Sequence, residues 1–70
     1  MAEAQHHNRV REARVESGLT QGALAEQVGV SRQSINYIEQ GTFAPSVYLA
    51  LRIAEVLGST VEDLFGEENA

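Results

Sequence analysis

The chain has 70 residues, 21% of them charged and 43% hydrophobic, and a net charge of −5. That is room for one small domain but not for a second with its own core, and the composition is that of a globular chain. Cysteine is absent, which excludes disulfides, thiolate metal sites and a cysteine nucleophile, and no apolar run approaches the roughly 18–20 residues of a membrane span.

Met1–His7 lacks the apolar core of a secretory signal, so it is expected to be a flexible N-terminus on a cytoplasmic protein. His6 and His7 are adjacent, and neighbours on a helix do not share a face. They read as tail residues, and no metal site is expected. The first predicted helix, Asn8–Ser17, buries Val10, Ala13 and Val15 and closes at Gly18. The second, Gln21–Val28, starts on Thr20 and buries Leu24, Ala25 and Val28 beside Leu19. The third, Arg32–Gln40, starts on Ser31 and is seated by Ile35 and Ile38. The fourth, Val47–Leu57, follows Pro45 and Ser46, and the fifth, Val61–Phe65, follows Thr60 in a shortened capping box, Thr60-Val61-Glu62-Asp63. Ser and Thr are N-cap residues, and Gly29, Gly41 and Gly58 fall where a helix must reverse. No stretch alternates like a strand. The pattern predicts an all-α, five-helix domain over residues 8–66, followed by an acidic tail, 67–70.

The fourth helix carries only Arg52 and Glu55 as charged residues. A helix apolar nearly all round is buried on more than one side, and a chain this small has little with which to cover it. One reading is a homodimer interface through Leu49, Ile53 and Val56, continued by Val61, Leu64 and Phe65. The other is a partly exposed apolar face.

Every basic residue is an arginine: Arg9, Arg11, Arg14, Arg32 and Arg52. The acidic overall balance argues against a polyanion partner. The acidity is concentrated after Thr42, however, so the N-terminal part can present a locally basic face. Leu19 to Gly41 reads as helix, tight turn at Gly29, helix, with small Ala25 at the crossing and Val30 at the corner. A helix-turn-helix requires this arrangement. On the third helix Gln33, Asn36, Tyr37 and Gln40 share one face, flanked by Arg32 and Ser34, and none is acidic. Arginine suits guanine, and glutamine and asparagine suit adenine, while Ser31 at the helix start leaves amides suited to phosphate. The same residues also serve to solvate a surface helix.

Arg14 before Gly18-Leu19, then Thr20-Gln21, Leu24-Ala25, Gly29-Val30-Ser31, Ile35, Ile38-Glu39, Gly41, Pro45-Ser46 and Ile53-Ala54 occur in register. From about Asn8 to Phe65 the chain resembles the phage repressor/Cro (Xre-type) helix-turn-helix regulators, and its end, Val61–Phe65, resembles that of short stand-alone members. The resemblance implies a lambda-repressor-like fold that binds double-stranded DNA as a homodimer and controls transcription, more as repressor than activator. It implies that Gln21 touches the DNA backbone and that Arg32, Gln33 and Tyr37 read bases, with Ser34 and Asn36 nearby. It implies that Arg14 and Glu39 pair inside the fold. Thr42 stands where many relatives have Lys or Arg, and is expected to offer its N–H or hydroxyl to phosphate. Thr20 and Ser31 complete the expected DNA face.

Glu62-Asp63 and Glu67-Glu68 flank no cleft and read as a solvated acidic end. No phosphate loop or catalytic set is present, and neither an enzyme, a cofactor nor a small-molecule ligand is expected. Alternatives within the fold are a restriction–modification controller or an antitoxin. The alternative from another class is a protein-interaction module that no longer reads DNA.

Overall fold

The computed structural model describes residues 7–66. The readings of Met1–His6 and of the tail 67–70 lie outside the described residues. The helices are α1 (Val10–Glu16), α2 (Gln21–Val28), α3 (Arg32–Gln40), α4 (Val47–Val56) and α5 (Val61–Phe65), and no strand occurs among the described residues.

Four helices start on a hydroxyl that accepts an N–H three residues on: Thr20 from Ala23 at 3.0 Å, Ser31 from Ser34 at 3.0 Å, Ser46 from Leu49 at 3.1 Å and Thr60 from Asp63 at 2.9 Å. Each such cap contributes about 1 kcal/mol. α1 is the exception, and it begins at Val10, later than its periodicity predicts. The Asn8 side chain accepts from the Val10 N–H at 3.1 Å and donates to the Ile38 carbonyl at 2.8 Å. Asn8 therefore stands outside the helix and clips its start to α3.

The turn between α2 and α3 rests on Gly29, whose φ of 82° lies in the left-handed region. It lets the Val30 N–H reach back to the Ala25 carbonyl at 3.0 Å. A carbonyl at the helix end is satisfied and the chain reverses at once. Gly41, with φ 80°, does the same for α3: the Thr42 N–H meets the Tyr37 carbonyl at 3.1 Å.

Every helix supplies a fully buried side chain to a single core: Val10, Leu24, Ile35 with Ile38, Ile53 and Leu64. Small Ala25 and Ala54 are buried among them. α2 packs on α3 and α4, α5 packs on α4 and α1, and α1 also meets α3. The Arg9 N–H donates to the Leu64 carbonyl at 2.8 Å, so the start of the domain is tied to its last helix.

The expected dimer residues need correction. Ile53 is 0% and Leu64 2% exposed, so both are spent on the protomer's own core. Leu49, Val56, Val61 and Phe65 are half-buried against it. The outward residues of α4 are Val47, Tyr48 and Leu51, at 72%, 80% and 52% exposure. Tyr48, Leu51, Arg52 and Glu55 fall at i, i+3, i+4 and i+7. The two charged residues thus mark the solvent side of α4, and Ile53 lies off it. An apolar groove of about 430 Å³ opens between Phe43, Pro45, Val47, Leu51, Val61 and Phe65.

Gly22, in the first turn of α2, has no need of its freedom. A Cβ there would meet only the Arg32 Cδ and Thr20 Oγ1, both at 3.9 Å, which is ordinary contact. Gly22→Ala is therefore expected to raise stability by about 0.5–1 kcal/mol, because alanine loses less backbone entropy in a helix. Urea unfolding of the two proteins measures it, and a lower midpoint for the variant would contradict the argument.

Candidate nucleic-acid interface

α3 is sharply two-sided. Ile35 and Ile38 are at 0% exposure, which turns Arg32, Gln33, Tyr37 and Gln40 to solvent with Ser34 and Asn36 at the margin. The Ser31 hydroxyl caps the helix and also lies 3.0 Å from the Ser34 hydroxyl. The amides of Arg32 and Gln33, in the first turn, have no carbonyl within the helix to meet.

A polar network runs beneath this face. Arg14 is 9% exposed. Its Nε donates to Glu39 Oε2 at 2.6 Å, its Nη2 to Glu39 Oε1 at 3.3 Å and its Nη1 to the Leu19 carbonyl at 2.7 Å. The Glu39 side chain is only 3% exposed. The one carboxylate that α3 carries is therefore withdrawn from the outer face and neutralised from below. Gln21 joins this pair to the surface. Its Nε2 donates to Glu39 Oε1 at 3.0 Å and to Asn36 Oδ1 at 3.2 Å, while its Oε1 accepts from Arg32 Nη1 at 3.5 Å. Farther out, Gln33 Nε2 donates to Tyr37 Oη at 3.0 Å.

Thr20, Gln21, Ser31, Arg32, Gln33, Ser34, Asn36 and Tyr37 thus share the surface made by the start of α2 and the outside of α3. Two expectations change in detail. Gln21 has both amide hydrogens engaged inside the fold and does not stand as an uncommitted phosphate donor. Thr42 has given its N–H to the Tyr37 carbonyl, and its hydroxyl lies 3.3 Å from the same oxygen. The cap that ends α3 consumes the amide proposed for phosphate. The linkage of Gln21 to Glu39 and Asn36 is absent from the sequence reading. It joins residues 18 and 15 positions apart and depends on side-chain torsions that no periodicity encodes.

The face offers amides, hydroxyls, a phenol and one guanidinium, with no carboxylate from α3. Such side chains match base edges and phosphate oxygens. Among the described residues no group of three possible metal ligands occurs, and no helix is long and apolar enough to cross a membrane. Two helices locked across a glycine turn, the second with a polar outward face, define a helix-turn-helix unit.

The helix-turn-helix family model matches residues 10–64. An uncharacterized HTH-type transcriptional regulator of Methanothermobacter thermautotrophicus is 54% identical over 57 residues, covering 80% of this chain and 83% of the relative. The N-terminal DNA-binding domain of SinR from Bacillus subtilis superposes with a TM-score of 0.77 at 28% identity, covering 89% of this chain and 91% of that one. The restriction-modification controller protein C.AhdI from Aeromonas hydrophila gives a TM-score of 0.73 at 31% identity, covering 79% and 83%. The chain belongs to the Xre (Cro/C1-type) helix-turn-helix family, with the lambda-repressor-like fold, a family of DNA-binding transcription regulators and not of enzymes.

Proposed function

We propose that the protein represses transcription by binding a near-palindromic operator as a homodimer, with α3 of each protomer in the major groove. The observation that carries this reading is the outer face of α3. In a chain of net charge −5, this helix shows solvent a guanidinium, amides and a phenol, and hides its only carboxylate under Arg14. Arg32 pairs with guanine and Gln33 with adenine, with Ser34, Asn36 and Tyr37 beside them. Thr20 and Ser31, at the two helix starts, face phosphates, the hydroxyl of Thr42 lies at the edge of the same face, and Gln21 steadies Arg32 from behind.

The homodimer is supported by the exposed apolar residues of α4 and the groove beside them. Val47, Leu51, Val61 and Phe65 are the contacts we assign to it. Two copies related by a two-fold axis place half-sites about one helical turn, ~34 Å, apart. Occupying a promoter is sufficient to repress it and needs no further surface. The likeness to C.AhdI supports a second reading, control of a restriction–modification operon by the same DNA-binding act.

Selection from random duplex DNA tests the proposal, with Arg32→Ala and Gln33→Ala alongside. A palindrome should emerge, and each variant should relax one base position by roughly 1–3 kcal/mol. Failure to enrich any sequence at moderate salt would overturn it. Phosphate contacts are few, since the chain has no lysine and Arg14 is buried. With about two or three phosphates neutralised per protomer, log K against log salt should slope at roughly −4 to −5 for the dimer. A titration with a much steeper slope would reveal a basic surface elsewhere.

A further inference from the structure

Gln33 and Tyr37 stand one turn apart on the outer face of α3, and Gln33 Nε2 donates to Tyr37 Oη at 3.0 Å. Both residues are exposed, Tyr37 at 43%, so this bond is not a by-product of burial. A glutamine free on a helix surface samples many rotamers, and ordering it against a base costs conformational entropy. A ring stiff about two torsions, anchored on the same helix, removes part of that cost in advance. The bond also fixes what Gln33 has left to offer. One amide hydrogen is taken by the phenol, which leaves one hydrogen on Nε2 and the oxygen Oε1 on the same amide. That is one donor next to one acceptor, the complement of adenine N6–H and N7.

We propose that Tyr37 is a positioning residue, which holds the Gln33 amide for base readout and so sets the strength of the adenine preference at the Gln33 position. This rests on the reading of α3 as the base-reading helix. Tyr37 acts on specificity through Gln33 and not through a base of its own.

The test uses the full chain and its selected duplex, with all single-base changes, bound by wild type, Tyr37→Phe, Gln33→Ala and the double variant. Tyr37→Phe removes only the oxygen. It should lower the base preference about fivefold, the effect of one ordinary hydrogen bond, at the position that Gln33→Ala erases, and at no other. In the Gln33→Ala background, Tyr37→Phe should change nothing further there. The inference is overturned if Tyr37→Phe alters a different base position, if it leaves the Gln33 position untouched, or if Gln33→Ala erases no preference at all. In those three cases the wild type still selects its site, and the proposal that the protein reads DNA survives, although in the third the assignment of Gln33 to adenine falls with the inference. A wild type that selects no sequence removes both.

Discussion

Arg14→Ala is expected to cost about 3–5 kcal/mol of stability, the usual effect of removing one partner from a buried ion pair. The Glu39 carboxylate is 3% exposed and would lose both guanidinium bonds at once. The Leu19 carbonyl, which takes the 2.7 Å bond from Arg14 Nη1, would lose that bond as well. A core of this size rarely supplies more than about 3–5 kcal/mol in total, so the variant should be largely unfolded at physiological temperature. Circular dichroism against temperature reads the outcome directly. A wild-type melting curve would show that Glu39 finds another partner or that the pair contributes little. The loss of DNA binding in this variant should follow the loss of fold and carry no base signature.

Arg32→Glu is expected to act in the opposite manner, leaving the melting curve in place and removing at least about a hundredfold of affinity for the selected duplex. Arg32 is exposed, and among the described residues its side chain bonds only to Gln21, at 3.5 Å. The fold therefore loses little. In the groove the loss combines a guanine contact of about 1–3 kcal/mol with a carboxylate set against phosphates. Fluorescence anisotropy at fixed salt measures it. If the reversed charge bound the duplex as the wild type does, Arg32 would not be a reading residue, and the selected sequence would be held through other side chains.

The helix starts were legible because their chemistry is local. Thr20, Ser31, Ser46 and Thr60 each satisfy an amide only three residues away, and the residue type alone announces it. The glycine turns were legible for the same reason. Asn8 misled because an asparagine near a helix start has two uses, and its bond to the Ile38 carbonyl spans 30 positions. α4 misled because its apolar residues are nearly continuous, which obscures helical phase. Arg52 and Glu55 held the answer, since a charged pair three apart marks a solvent side and excludes Ile53 from it. On α3 the outward residues could be counted from the sequence. What could not be read was which of them are tied to one another. Gln21 to Glu39, Gln21 to Asn36 and Gln33 to Tyr37 are pairings among torsions, and they decide which donors are still available to a ligand.

The 2.8 Å bond from the Arg9 amide to the Leu64 carbonyl makes the domain nearly a closed ring. Its two ends leave from one point, so a longer polypeptide can carry the whole unit as a bead, with neither flanking segment stretched across it. Joining the ends through a short linker and opening the chain in the exposed stretch after Gly41 would keep every helix and change only their order. The ring also makes α5 dependent on its distant neighbour. Five residues are too few to hold a helix alone, so α5 depends on its packing against α4 and α1 to persist.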